Sequence, residues 1–207
     1  MGDFKFYFEI FAALMGFIYV SLEVLQKRFM WVMSFIASLA YIVVYAREGL
    51  YAMMLLQLYY ICLAIYSYFK WGKSNKKVSG DQKMGYKVGK EDKDTVLVIR
   101  KMSSKVAIIS IILAILVFFI IGFIFSKYTD NPRPFLDAMA ATLSMLATFW
   151  LSRKYIQQWY VWIVCNIIST YLYFSQAMYP TSILYSLYLI MAIYGIYHWR
   201  KKGVVLD

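Results

Sequence analysis

The chain alternates between long apolar segments and short polar connections, with one longer polar segment at residues 72–103. Each apolar segment has about the 20 residues that an α-helix needs to cross a lipid bilayer. We therefore predict an all-α integral membrane protein. The seven predicted spans are about 6–25, 29–47, 50–71, 104–126, 135–152, 155–175 and 178–199.

The polar segment between the third and fourth spans is rich in Lys, Gly, Ser and Asp, a composition that predicts a flexible, solvated loop. Residues 95–100 within it alternate poorly between apolar and polar side chains. They are compatible with a short strand and with a simple lead-in to the fourth helix, and the pattern does not decide between the two.

An internal repeat runs through the apolar segments, because residues 26–71 recur at 154–199 with a constant shift of 128 positions and no gap. The nine identical pairs are Trp31 and Trp159, Tyr45 and Tyr173, Tyr51 and Tyr179, Leu56 and Leu184, Tyr60 and Tyr188, Ala64 and Ala192, Ile65 and Ile193, Tyr66 and Tyr194, and Trp71 and Trp199. Duplicated helical units in one membrane chain are typical of transporters, which bind their substrate where the two units meet.

The spacing of the repeat predicts the arrangement of the helices. Equivalent helices are separated by four spans, an even number, so both copies cross the membrane in the same orientation as parallel repeats, with the fourth helix as a bridge. We denote this arrangement 3+1+3. The predicted units are a first repeat at 1–72, a cytoplasmic basic loop at 73–103, helix four with an outer loop at 104–134, a second repeat at 135–200 and a cytoplasmic tail at 201–207.

Composition and charge agree with a membrane location. Hydrophobic residues make up 62% of the chain and charged residues only 16%, which is too apolar for a soluble domain of 207 residues. Of the 22 Lys and Arg residues, 18 fall on one side of the predicted membrane and four on the other. By the positive-inside rule the N-terminus lies outside and the C-terminus in the cytoplasm. The net charge of +11 therefore indicates orientation and contact with anionic lipids, and not nucleic-acid binding.

The residues give little support for catalysis. The single histidine, His198, lies at the end of the last span, no Cys or His cluster has the spacing of a metal site, and there is no phosphate-binding glycine loop of the P-loop type. We predict no enzyme activity, no metal and no cofactor. The ionisable residues Glu9, Glu23 and Asp137 all lie near span ends, which favours passive facilitation over proton coupling.

Two uncharged amides lie inside predicted spans, Gln57 in the third and Asn166 in the sixth. A buried amide in lipid needs a partner, either a neighbouring helix or a substrate, and both interpretations stay open. Trp159, Trp162 and Asn166 share one helix face that can stack a flat ring, although Trp159 also fits a headgroup-level anchor. The candidate substrate-binding residues are Gln57, Trp162, Asn166, Trp159, Tyr60, Tyr41 and Tyr188.

The two amides are not repeated. Gln57 aligns with Tyr185 and Asn166 aligns with Ser38, so neither amide is present in the other copy. We interpret the shared residues as scaffold and the unshared amides as the position of the substrate.

Several of these segments resemble PnuC-type vitamin transporters. Residues 153–169 resemble the family pattern R-K-Y-x-x-x-W-x-x-W-x-x-x-N-x-x-S, residues 21–23 its S-L-E element, and residues 50–57 its L-Y-A-x-x-x-x-Q element. Asp137 followed by a small residue matches as well. At residues 64–68 the sequence Ala-Ile-Tyr-Ser-Tyr departs from the N-x-Y-G-W of many nicotinamide riboside transporters.

The resemblance implies a facilitator of the bacterial inner membrane with a SWEET-like fold, which carries nicotinamide riboside or, in related branches, thiamine or riboflavin. It also implies that a cytosolic vitamin kinase traps the substrate by phosphorylation. Gln57, Trp162 and Asn166 would contact the substrate, with Trp159 as a further candidate. We expect nicotinamide riboside as the substrate, with thiamine as the alternative. Membrane lipids are expected partners, and a homotrimer is the expected assembly.

Two other functions stay open at this point. A non-transporting receptor or scaffold would use the basic segment 72–103 to hold a cytosolic protein, and a SWEET-like sugar carrier would bind neutral sugars. The facilitator hypothesis differs from both, because it predicts a polar cavity between the repeats, lined by Gln57 and Asn166, that binds a flat aromatic vitamin.

Overall fold

The structure, a computed structural model, describes residues 16–47, 51–81, 97–129, 133–175 and 179–206. The start of the first predicted span, Glu9 and the central part of the basic loop lie outside the described residues. Seven helices and two short strands lie in the described ranges. In chain order they are α1 (residues 16–24), α2 (Phe29–Arg47), α3 (Tyr51–Asp81), β1 (Leu97–Arg100), α4 (Ser104–Tyr128), α5 (Pro134–Ser152), α6 (Gln158–Ser175), α7 (Tyr179–Lys202) and β2 (Gly203–Leu206).

Three of the described helices are long and apolar enough to cross a membrane, by length and composition: α4, α5 and the part of α7 from Thr181. α4 packs along α5, where the indole of Trp150 donates to the Ser110 hydroxyl at 3.0 Å and the ring of Phe135 lies against Gly122. The exposed apolar side chains of α4 include Ile108, Ile112, Leu116, Phe119 and Phe123. A surface of this kind is stable against lipid. The helical part of the prediction is confirmed, and the structure adds two short paired strands, β1 and β2, to the predicted all-α fold.

Parts of the predicted basic loop and tail differ from the prediction. α3 continues to Asp81, and Leu97, Val98 and Ile99 are buried in β1. The predicted tail contributes β2. β1 forms because three consecutive apolar side chains leave water while their backbone groups find partners on both edges of the strand.

The connection from α1 to α2 has the same backbone geometry as the connection from α5 to α6. Gln26 and Lys154, which are 128 positions apart, both adopt the left-handed conformation, with φ of 49° and 60°. Each donates its backbone N–H to the carbonyl three residues earlier, Gln26 to Glu23 at 3.0 Å and Lys154 to Leu151 at 2.8 Å. In both turns the next residue donates to the carbonyl five residues earlier, at 2.9 and 3.1 Å. This pair of bonds is a Schellman ending, present at equivalent positions of the two halves.

Two tryptophan pairs show the same equivalence in the core. Trp31 packs edge-on against Trp71, with 5.5 Å between ring centroids and 88° between ring planes, and Trp159 packs against Trp199 with the same values. All four side chains are at most 1% exposed. Residues that recur in the sequence therefore form packing that recurs in the structure.

The second tryptophan of each pair joins the two halves. Trp71 on α3 donates its indole N–H to the carbonyl of Ser152 at the end of α5, at 3.1 Å. Trp199 on α7 donates to the carbonyl of Val24 at the end of α1, at 2.9 Å. A shift of 128 positions converts one bond into the other. Both bonds satisfy carbonyls at a helix end, which lack a partner within their own helix. The halves are thus joined by a reciprocal pair of buried hydrogen bonds.

A small structure next to the two turns, termed the latch, consists of β1, β2, the Gln26 side chain and the Lys154 carbonyl. β1 pairs in parallel with β2 along one edge. On its other edge, the Gln26 amide donates to the Val98 carbonyl at 2.9 Å and accepts from the Val98 N–H at 3.1 Å. The Arg100 N–H, two residues on and therefore on the same edge, donates to the Lys154 carbonyl at 3.1 Å. β1 is therefore held by both of the equivalent turns.

The side chain of Lys154 is buried between the latch and the core. Its ammonium lies 4.9 Å from the centre of the Trp71 ring, in a cation–π contact. Burial, together with the positive charge of Arg100, lowers the pKa of this amine to about 8. Lys154 thus connects the latch to one of the tryptophans that join the halves.

Replacing Trp71 with Phe removes the indole N–H and leaves the Ser152 carbonyl without this partner. We expect the free energy of unfolding to fall by about 1–2 kcal/mol more than in Trp31→Phe, because the Trp31 N–H has no hydrogen-bond partner among the described residues. Trp199→Phe and Trp159→Phe form the equivalent comparison in the other half. Thermal melting of the purified protein in detergent measures the difference. Equal losses within each pair would contradict a stabilising role for the cross-bonds.

Replacing Gln26 with Leu keeps the size of the side chain but removes both bonds to Val98. We expect the Val98 amide to exchange with solvent about ten-fold faster or more, since two hydrogen bonds are lost and each contributes about 1 kcal/mol net. Residue-resolved hydrogen exchange measures the change. Ser21→Ala, which removes a hydroxyl bonded only within α1, is the control. Unchanged exchange at Val98 in the Gln26→Leu variant would mean that β1 is held without this side chain.

Candidate functional site

One face of α6 carries a series of buried polar atoms. Trp159, Trp162, Asn166 and Thr170 are spaced by three or four residues, so their side chains project from the same side of the helix. The Trp159 indole N–H, the amide oxygen of Asn166 and the hydroxyl of Thr170 are buried and have no hydrogen-bond partner among the described residues. The Trp162 indole N–H is buried near the Glu23 carboxyl group, without a hydrogen bond of regular geometry. Because unpaired polar groups are costly inside a membrane, this face is suited to binding a polar partner.

Tyrosines from three other helices converge on one region. Tyr19 on α1 lies near Tyr60 on α3 and Tyr188 on α7. The Tyr188 hydroxyl approaches α1 so closely that a Cβ at Gly16 would overlap it, and the glycine permits this approach. Helices from both halves of the chain therefore meet here, and they bring together Tyr60 and Tyr188 from the predicted set.

Glu23 connects these tyrosines with the polar face of α6. Its side chain is 2% exposed, and it interacts with Tyr19 and with the side chains of Gln158 and Trp162. Its Oε1 atom and both amide atoms of Gln158 form no hydrogen bond of regular geometry with the described residues. The group is termed the polar–aromatic cluster below, and its members are Tyr19, Glu23, Tyr60, Gln158, Trp162 and Tyr188.

Three members of the cluster were not among the predicted site residues: Tyr19, Glu23 and Gln158. In the sequence, Glu23 stands out only as an ionisable residue near the end of a span, where side chains usually contact solvent. Here Gln26 in the turn that follows is itself buried, because its side chain pairs with β1. The available signal for Glu23 was the S-L-E resemblance at residues 21–23.

The two predicted amides lie on different helices and are not hydrogen-bonded to one another. Gln57 is half-buried on α3 and Asn166 is 3% exposed on α6. At the position equivalent to Gln57, Tyr185 on α7 stacks on Tyr173, with centroids 5.1 Å apart and 21° between the ring planes. Substrate contact by Gln57 and Asn166 stays a prediction.

Trp159 belongs to the packed core as well as to the polar face of α6. A Cβ at Gly195 would lie 2.6 Å from its ring, so the indole packs directly on the backbone of α7 as well as on Trp199. A side chain this deeply enclosed does not fit the alternative of an exposed membrane anchor. The side chain of Tyr41 lies outside the described residues.

Comparison with known proteins relates this arrangement to a family. Residues 6–201 match the family described as nicotinamide mononucleotide transporter. The chain is similar to the nicotinamide riboside transporter PnuC of Escherichia coli strain K12, with 21% identity over 218 residues that cover 94% of this chain and 87% of that protein. A segment of 67 residues is 34% identical to the nicotinamide riboside transporter PnuC of Haemophilus influenzae, and it covers 32% of this chain and 28% of that protein.

The fold is similar to a solved structure, the crystal structure of the vitamin B3 transporter PnuC. The TM-score is 0.64 at 20% identity, and the match covers 92% of this chain and 79% of that chain. This likeness indicates a shared fold, and the resemblance noted in the sequence is confirmed. The chain therefore belongs to the nicotinamide mononucleotide transporter family, and it is a membrane transporter, not an enzyme.

Proposed function

We propose that this transporter carries nicotinamide riboside across a bacterial inner membrane by facilitated diffusion. The relatives that match most of the chain are named for this substrate. The observation that carries the proposal is the face of α6 on which Asn166 and Thr170, next to Trp162, present buried polar atoms without partners in the described part of the chain. A nicotinamide ring offers a flat surface for stacking, and its amide and ribose hydroxyls offer complementary donors and acceptors.

The charge of the site favours the riboside over the mononucleotide. Proteins bind phosphate groups with Arg, Lys or clustered backbone N–H groups. The polar–aromatic cluster contains the carboxyl group of Glu23 and no Lys or Arg among its members. A carboxylate disfavours a nearby phosphate, so the uncharged ribose of the riboside is the better fit.

We infer that the two halves are parallel repeats in a 3+1+3 arrangement with a SWEET-like fold, in which α4 is the bridge. The matching turns, the matching tryptophan pairs and the reciprocal cross-bonds support this arrangement. The substrate then lies between the repeats, where Tyr60 from the first and Tyr188 from the second occupy equivalent positions.

The proposed orientation puts the latch in the cytoplasm and the N-terminus outside, in line with the distribution of Lys and Arg. A passive carrier only equilibrates its substrate, so accumulation requires a cytosolic vitamin kinase whose product no longer fits the site. The homotrimeric assembly stays a prediction. The receptor or scaffold alternative loses support, because the family is one of transporters.

Asn166→Ala is expected to weaken nicotinamide riboside binding by about ten-fold or more, which corresponds to one hydrogen bond of about 1.4 kcal/mol. Calorimetric titration of the purified protein measures the dissociation constant. Thr148→Val is the matched control, because the Thr148 hydroxyl is part-buried but already bonded to the Ser144 carbonyl within α5 at 2.7 Å. Its affinity should stay close to that of the unaltered protein.

Thiamine and riboflavin are titrated in parallel. Tighter binding of thiamine than of nicotinamide riboside would replace the substrate assignment with the alternative. Binding of none of the three vitamins by the unaltered protein would contradict the proposed function.

Transport in proteoliposomes that contain only the purified protein tests the passive mechanism. With the membrane potential held at zero, labelled nicotinamide riboside should equilibrate without exceeding its outside concentration, and an imposed proton gradient should leave the initial rate unchanged. Enclosing ATP and a kinase that phosphorylates the vitamin should produce accumulation. Accumulation driven by the proton gradient without a kinase would show ion coupling instead.

A further inference from the structure

The fold does not require a carboxyl group at the position of Glu23. In the other half, Leu151 stands at the equivalent position, in the same helix ending and fully buried. An apolar side chain therefore satisfies the packing of this turn. The same contrast holds for Gln158 in the cluster, because its equivalent is Met30, and both side chains are fully buried. The polar residues at these two positions are thus additions to a scaffold that does not depend on them.

The Glu23 carboxyl group is buried at the end of α1 without a cationic partner among the described residues. No Lys or Arg is among the described residues that interact with it, and its Oε1 atom forms no hydrogen bond of regular geometry with them. The neighbours with which it interacts, Tyr19, Gln158 and Trp162, are uncharged side chains. A buried carboxylate in such surroundings is unfavourable unless another group offsets its charge. An ionisable residue placed in this way inside a membrane protein indicates a functional role.

Aromatic side chains from four helices lie in this region: Tyr19 and Trp162 interact with the carboxyl group itself, and Tyr60 and Tyr188 lie near Tyr19. Tyr19, Tyr60, Trp162 and Tyr188 come from α1, α3, α6 and α7 respectively. The faces of aromatic rings carry a negative electrostatic potential and attract cations. The rings and the carboxylate therefore favour one class of ligand, a flat organic cation.

We propose that Glu23 makes this site selective for a positively charged substrate. The assignment rests on the proposed function: the pyridinium ring of nicotinamide riboside lies among the aromatic side chains, and the Glu23 carboxylate neutralises its charge. Trp162 and Asn166 recognise the ring face and the polar atoms, which charged and neutral forms of the vitamin share. α1 therefore selects the charge of the ligand through Glu23, and α6 recognises the shape of the ligand.

The test compares two ligands that differ mainly in charge: nicotinamide riboside, a cation, and its neutral 1,4-dihydro form. In calorimetric titrations of the full-length protein in detergent, we expect the cation to bind about ten-fold more tightly or better. Glu23→Gln keeps the size of the side chain and should weaken cation binding by about ten-fold or more while leaving the neutral form nearly unchanged. Trp162→Phe should weaken the binding of both forms by a similar factor.

The outcomes separate this proposal from the proposed function. A preference for the cation that survives in Glu23→Gln would overturn the role of Glu23 and leave the substrate assignment intact, and so would the absence of any preference in the unaltered protein. Binding of neither form by the unaltered protein would overturn the proposed function and this role together. If melting shows that Glu23→Gln is unfolded, the comparison is made with Glu23→Leu, since the other half folds with leucine at this position.

Discussion

No water reaches an indole N–H that is enclosed in a membrane-spanning bundle. Where such an N–H has a protein acceptor, the hydrogen bond therefore determines where the ring lies. Trp71 and Trp199 each find that acceptor at the end of a helix in the opposite half. Because the two bonds are reciprocal, neither half can slide along the other without breaking both. The turns at Gln26 and Lys154 are aligned by this registration, and the latch strand can then contact both of them.

The scaffold residues are equivalent in the two halves, whereas the residues of the candidate site differ between the halves. The tryptophan pairs and the helix endings repeat almost without change. In the polar–aromatic cluster, by contrast, Glu23 and Gln158 have apolar equivalents in the other half. A ligand such as nicotinamide riboside has a charged ring at one end and a sugar at the other, so a site that holds it in one orientation must differ between its two walls.

The sequence predicts those parts of the structure that depend on local pattern or on identity between the halves. The long apolar segments predict the helices, and the recurrence of Trp31 and Trp71 at Trp159 and Trp199 predicts a shared scaffold. The latch was not predicted, because β1 pairs with a strand over a hundred residues away and with the side chain of Gln26, and neither partner leaves a local signal. The burial of Glu23 was missed for a related reason, since it depends on how the following turn packs under β1.

The arrangement of the site follows from the scaffold: the cross-bonds align the halves, the alignment brings α1, α3, α6 and α7 together, and Glu23 supplies the charge at their meeting point. The most direct measurement is an experimental structure of the transporter with nicotinamide riboside bound. We expect the nicotinamide ring to lie among Tyr60, Trp162 and Tyr188, with its positive nitrogen facing Glu23. A ligand held on the surface of a single half, away from Glu23 and Asn166, would contradict this arrangement.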